Sequence, residues 1–165
     1  MIKLIVLDVD GTLTNGQITY DSKGNESKSF DVKDGMAIAS WTKKLKLNAA
    51  IITGRKSDIV QKRANELGIT HLYQNNNNKK EKIDDILKEL GLKWNNVACI
   101  GDDLNDYKML KKAHISFCPN DAVDDIKEIV NVVCNKNGGS GAVREMIEYI
   151  LKLDDNEKAI KNLWV

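Results

Sequence analysis

The chain has 165 residues, 42% of them hydrophobic and 30% charged, with a formal net charge of +1 at pH 7. Those values describe one globular domain, expected to span residues 1–165, and exclude a general attraction to nucleic acid or to an anionic membrane surface. No apolar run approaches the roughly 18 residues of a membrane span, and Met1-Ile2-Lys3-Leu4 enters strand-like sequence directly, so neither a membrane anchor nor a signal peptide is expected and a cytoplasmic location is.

The first predicted strand covers residues 4–8, an apolar, β-branched run that ends in Asp8-Val9-Asp10-Gly11-Thr12. Successive side chains of a strand point to opposite faces. The Gly–Thr step signals an immediate turn, which lets Asp8 and Asp10 converge. A β-hairpin follows at residues 14–31, with arms at 17–20 and 26–30 around Asp21-Ser22-Lys23-Gly24-Asn25, placed to cover that acid pair as a flap. A helix is predicted over 35–46 and a strand over 49–53, the latter ending in Thr53-Gly54-Arg55, a hydroxyl and a free amide suited to a phosphoryl oxygen. Helix 57–67, closed by Gly68, leads to strand 71–73 and to a polar loop of four asparagines at 75–78. Lys79 and Lys80 then open helix 80–90, in which Ile83, Ile86, Leu87 and Leu90 repeat at helical spacing.

Strand 97–101 ends in the second acidic group, Gly101-Asp102-Asp103-Leu104-Asn105-Asp106. Asp103 also suits a helix N-cap, and Asp106 suits the first turn of the helix at 103–113. Strand 115–118, helix 123–129, a weaker strand at 132–134 and helix 142–153 complete the pattern. The tail, 154–165, is charged up to an apolar end, Leu163-Trp164-Val165, which suggests docking on this subunit or another. Cys99, Cys118 and Cys134 lie in or beside apolar segments and read as buried, reduced thiols; His71, His114, Trp41 and Trp94 read as structural.

Strand–helix alternation of this kind implies a doubly wound, three-layer α/β/α sandwich with a mostly parallel central sheet and one inserted hairpin. Acids at strand ends then gather at one sheet edge, where open α/β folds bind ligands. Two carboxylates about 4 Å apart repel by roughly 4 kcal/mol at an effective dielectric near 20. Mg²⁺, which takes few carboxylates and several waters, is the expected remedy. One acid can then attack phosphorus while another handles protons.

Asp8-Val9-Asp10-Gly11-Thr12-Leu13-Thr14, Thr53, Lys79 and Gly101-Asp102-Asp103-Leu104-Asn105-Asp106 resemble, in order, the four motifs of the haloacid dehalogenase-like phosphatases. The likeness is greatest to the capless branch that acts on 3-deoxy-D-manno-octulosonate (KDO) 8-phosphate. Asp34-Gly35, residues 53–57, residues 68–74 and Gly138-Gly139-Ser140-Gly141-Ala142-Val143-Arg144-Glu145 carry that narrower resemblance. It implies a Mg²⁺-dependent phosphomonoesterase of lipopolysaccharide precursor synthesis. By the same resemblance Asp8 is the nucleophile and Asp10 the general acid/base. Thr53 and Lys79 hold the phosphoryl group, and Asp8, the Asp10 carbonyl and Asp102 bind the metal with support from Asp103; Asp106, read from its position alone, serves as support to the site or to the helix. The choice of Lys79 over Lys80 rests on the resemblance alone. A capless site needs a neighbour to exclude water, and the resemblance implies a homotetramer built through the hairpin. Gly54, Arg55, Arg63 and the Gly138–Gly141 loop are the expected contacts to substrate or to that neighbour. Weighed against this are a phosphatase of nonulosonate 9-phosphates or other small sugar phosphates, a phospho-accepting receiver and a silent interaction domain. A receiver carries its acceptor acid after the third strand, whereas here the second acidic group follows the fourth of the sheet strands.

Overall fold

The computed structural model describes residues 1–153 and 159–165. Strand β1 (Leu4–Leu7) is followed by a two-stranded antiparallel hairpin, β2 (Thr19–Tyr20) and β3 (Glu26–Ser27). Five more strands join β1 in the main sheet: β4 (Asn48–Ile52), β5 (His71–Tyr73), β6 (Val97–Ile100), β7 (Ile115–Cys118) and β8 (Val132–Val133). Their spatial order is β5-β4-β1-β6-β7-β8, and every pairing in that sheet is parallel. The chain therefore winds outward from β1 in one direction through β4 and β5, and in the other through β6, β7 and β8. Crossovers leave opposite sides of the sheet where that order reverses, and a crevice opens at the carboxyl ends of the strands there. Leu7 lies level with Ile51 on one side and with Ile100 on the other. The residues that follow each of these three strands thus enter the crevice at nearly the same height.

Alternation along β1 divides the core. Ile5 and Leu7 pack on one face of the sheet with Ile38, Val60, Leu67, Met146, Ile147 and Ile150. Leu4 and Val6 pack on the other with Ile83, Ile86, Leu87, Met109, Leu110 and Ile126. The first face is covered by helices α1 (Val32–Ala39), α2 (Asp58–Leu67) and α6 (Ala142–Leu153). The second is covered by α3 (Lys79–Leu90), α4 (Tyr107–Lys112) and α5 (Asp124–Lys127). Both faces being buried explains why the strands read as continuous apolar runs. Gly68 and Gly91 close α2 and α3 in the left-handed conformation, φ 70° and 64°.

Two expected helices differ in form. The one predicted over 35–46 begins earlier, because Asp31 accepts from the amides of Lys33 and Asp34 as an N-cap, and from Ser40 to Lys44 it widens into a π-helical turn. Ser40 and Thr42 donate their hydroxyls back to Met36 O and Ile38 O, contacts that bend a helix. The helix predicted over 103–113 divides into a 3₁₀ turn, Leu104–Asp106, and α4. Of the expected tail, residues 154–158 lie outside the described residues. The remainder forms α7 (Ala159–Trp164) and docks on this same chain: Trp164 Nε1 donates to Ser40 Oγ at 2.7 Å, and Lys44 Nζ donates to Leu163 O at 2.6 Å. The three cysteines are free and buried, as expected of inert thiols.

Candidate active site

Two of the three clustered carboxylates arrive from strand ends and the third from the turn that follows. Asp8 directly follows β1 and is 4% exposed. Asp102 follows β6 by one further residue, Gly101, and Asp106 returns from the 3₁₀ turn. One oxygen from each of Asp8, Asp102 and Asp106 lies within 4.8 Å of the other two. Glycine makes the approach possible: at Gly11, φ +95°, a Cβ would stand 2.1 Å from Asp102 Oδ2. At Gly101 it would stand 2.3 Å from Asp106 Oδ2. Thr12 Oγ1 donates to Asp102 Oδ1 at 3.1 Å, and the Asp102 amide donates to Asp106 Oδ2 at 3.0 Å.

Lys79 closes the cluster. As the first residue of α3 it is 2% exposed, and its Nζ donates to Asp8 Oδ1 and to Asp106 Oδ1, both at 2.5 Å. Lys80, one position on, pairs with Asp84 at 2.9 Å on the outer face of the same helix. The helical turn alone therefore separates two lysines that sequence spacing left equivalent. Thr53, 2% exposed, directly follows β4. Its amide donates to Tyr73 O and its carbonyl accepts from the Asn76 amide, which fixes the backbone of the Thr53-Gly54 step.

The electrostatics follow from burial. Desolvation raises the Asp8 carboxyl well above the usual range, Asp106 adding to the effect and Lys79 opposing it. Asp102 is pushed up to about 6 by burial and by Asp106. Asp106 is raised as well, chiefly by burial and against the pull of Lys79. Burial works to lower Lys79, yet the two carboxylates it touches outweigh that and hold it above the ordinary lysine value. Three acids against one ammonium leave an excess of negative charge, and the raised carboxyls mark proton uptake as one form of relief. A hard divalent ion bound by oxygen relieves it better, and opposed ligands of a Mg²⁺ shell stand roughly 4 Å apart, within the spread seen here. The donor set thus fits Mg²⁺. Both oxygens of Asp106 are engaged, by Lys79 and by the Asp102 amide. Asp8 and Asp102 instead each keep one oxygen, Oδ2, that accepts from no protein donor among the described residues.

Not every expected residue joins the cluster. Asp103 is exposed and spends its side chain capping the 3₁₀ turn, accepting from the Leu104 amide at 2.7 Å; Asp106 takes the third corner instead. Arg63 donates to Asp31 O at 3.3 Å, pairs with Glu66 at 3.4 Å and lies over the Phe30 ring. Its contacts hold α2 to the start of α1 and include none of the clustered aspartates. Arg55 points across the mouth: it donates to Tyr20 Oη and Glu26 Oε1 of the hairpin at 3.2 and 3.1 Å, and its Nε lies 3.9 Å from Asp10 Oδ2. The Gly138–Gly141 loop packs beneath the first acidic loop, with the Gly139 amide donating to Thr12 O at 2.9 Å.

One site residue was missed from the sequence. Lys28, on the hairpin arm after β3, buries its side chain to 1% exposure and donates to Asp10 Oδ1 at 2.5 Å. The only available signal was two opposite charges, Glu26 and Lys28, at the i, i+2 spacing that puts them on one face of a strand.

Residues 49–147 match the profile of the haloacid dehalogenase-like hydrolases. The chain is 41% identical over 159 residues to the 3-deoxy-D-manno-octulosonate 8-phosphate phosphatase KdsC of Escherichia coli, covering 93% of this chain and 84% of that one. A crystal structure of the corresponding phosphatase from Moraxella catarrhalis, in complex with magnesium, phosphate and KDO, superposes with a TM-score of 0.94 at 39% identity, over 99% of this chain and 94% of that one. The cobalt-bound enzyme from Haemophilus influenzae gives 0.89 at 35% identity, over 95% and 91% of the two chains.

Proposed function

The chain belongs to the haloacid dehalogenase-like hydrolases, and from that premise we propose that it is a Mg²⁺-dependent phosphatase releasing phosphate from KDO 8-phosphate. The observation that carries the reading is the meeting of Asp8, Asp102, Asp106 and Lys79 at the crevice where the sheet order reverses. The relatives bearing that substrate's name match over nearly the whole chain.

In the proposed reaction an Asp8 carboxylate oxygen attacks phosphorus as the bond to the sugar oxygen breaks, and Asp10 delivers a proton to that leaving oxygen. Water then attacks the aspartyl-phosphate as Asp10 takes its proton, and the phosphoryl–Asp8 bond breaks to release phosphate. Lys79 keeps its ammonium beside Asp8 and neutralises the transferring group, and Asp106 anchors Lys79 there. The Thr53 hydroxyl and the Gly54 amide receive a phosphoryl oxygen at the end of β4. Mg²⁺, when bound by Asp8, Asp102 and the Asp10 carbonyl, offsets the charge of phosphate and carboxylates together. Asp103 supports the loop from outside, through its cap.

Arg55 supplies a cation for the sugar-acid carboxylate at the mouth. In this reading residues 14–31 act as the flap of a single domain. Copies assemble into a cytoplasmic homotetramer that shields each site, and the product feeds lipopolysaccharide precursors. Arg63 serves that assembly through α2 rather than touching the phosphoryl group.

Phosphate release from KDO 8-phosphate, nonulosonate 9-phosphates and hexose phosphates, each with Mg²⁺ and with excess chelator, tests the reading. Turnover is expected to be fastest on KDO 8-phosphate and abolished by chelation. Preference for hexose phosphates overturns the sugar-acid assignment, and turnover that survives chelation overturns the metal.

A further inference from the structure

Asp10 is held almost entirely by the hairpin. Its Oδ1 accepts from Lys28 Nζ at 2.5 Å, and its Oδ2 faces Arg55 Nε at 3.9 Å. Arg55 is itself fastened to the hairpin, through Tyr20 Oη at 3.2 Å and Glu26 Oε1 at 3.1 Å. Lys28 also lies 3.2 Å from Glu26. The five residues make a closed circuit of two cations, two carboxylates and a phenol, and Asp10 is its only member from the β1 loop.

Burying a lysine side chain to 1% exposure costs stability unless the ammonium is paired and well placed. A tether for the hairpin did not require that expense, since Arg55, 47% exposed, already joins hairpin to sheet edge. The buried ammonium instead fixes the one carboxylate whose orientation decides whether a proton reaches the leaving oxygen. Asp8 needs no such help, because Lys79 and the strand end set its position.

We infer that Lys28 is a positioning residue for Asp10, so that seating of the hairpin and placement of the general acid are a single event. The inference rests on the proposed reaction, in which Asp10 protonates the sugar oxygen. The proton itself is carried by Asp10. Lys28 holds the carboxyl on the side of the crevice where the leaving oxygen stands, and Glu26 holds Lys28. No bond to Lys28 forms or breaks. In the step that expels the leaving group, a misplaced acid harms only substrates whose leaving group needs a proton, whereas a merely structural ion pair harms all substrates alike.

The experiment compares kcat/KM for KDO 8-phosphate and for p-nitrophenyl phosphate, with Mg²⁺, in the intact protein and in Lys28→Met, Lys28→Arg and Glu26→Gln. This parameter reports steps up to departure of the leaving group, and p-nitrophenolate departs without protonation. Loss of a positioned general acid costs on the order of 10²–10⁴-fold. Lys28→Met is expected to lose about 10²-fold or more on KDO 8-phosphate and at least about tenfold less on the aryl ester. Lys28→Arg is expected to recover most of the loss, and Glu26→Gln to show the same bias at roughly three- to tenfold. Should Lys28→Met fail to fold, the substrate bias of Glu26→Gln decides. Equal losses on both substrates, or none on either, overturn the inference. Failure of the intact protein to hydrolyse either ester overturns instead the reaction on which it rests.

Discussion

Buried carboxylates outside the reaction also shape this molecule, and Asp34 is the clearest. It is 1% exposed on α1 and accepts from the Gly141 and Arg144 amides at 3.3 and 2.8 Å, capping α6 from a neighbouring helix. Burial nevertheless raises its carboxyl to about 6, against the bonds from those amides. The folded state thus holds a proton there that the unfolded chain has already released. Stability from this group is complete below the unfolded value, and it is lost as pH rises through about 6. Relative to Asp34→Asn, which cannot titrate, the native chain should gain about 2 kcal/mol on going from about pH 7.5 to about pH 4.5. Denaturant unfolding of both at the two pH values checks this. A difference that stays constant, or that moves the other way, contradicts the burial argument. The pair Asp34-Gly35 stands in the sequence as part of a family likeness, but its partner is 107 positions away, and no local pattern announces a cap contributed by another helix.

Loops, more than helices, bring this site together. The apolar strand runs and the glycines after α2 and α3 were legible because strand and helix termini obey local rules, and most boundaries fall within a few residues of expectation. The Gly138–Gly141 loop was expected as a contact to substrate or to a neighbour, and its packing within the chain was not legible. In the fold it lies against the first acidic loop so closely that a Cβ at Gly138 would stand 1.9 Å from Gly11 O, a backbone atom with little freedom to yield. Gly138 also donates to Asp121 Oδ1, and Gly139 to Thr12 O, at 2.9 Å each. Gly138→Ala should therefore cost about 1–3 kcal/mol of stability. It should also lower kcat, because the backbone it displaces carries Asp10, Gly11 and Thr12. Thermal unfolding and phosphate release measured on the same sample check this. Full activity with unchanged stability contradicts the close approach.

At the scale of the whole molecule, the position of the site follows from topology. Strands leave β1 in both directions, so the residues after β1, β4 and β6 converge without any of them being near in sequence. The alternation of strands and helices announced such a sheet, and the acidic groups named its working edge. Charge spacing did not reveal which acids meet. Asp103 was expected beside the metal and Asp106 only in support, and the 3₁₀ turn faces the first outward and the second in. Lys28 was illegible for a similar reason, since only tertiary folding lays the hairpin against Asp10. The docked α7 shows that the apolar end of the chain finds a partner within this same subunit. All of this arrangement serves a single proposed act, the transfer of a phosphoryl group to one carboxylate. Rapid quenching during turnover of KDO 8-phosphate with Mg²⁺, followed by peptide mapping, tests it most directly. A transient phosphoryl group is expected on the peptide bearing Asp8, absent in an Asp8→Asn variant that folds normally and has lost turnover by at least about 10³-fold. Steady phosphate release with no phosphorylated Asp8, or turnover preserved in Asp8→Asn, would contradict that transfer.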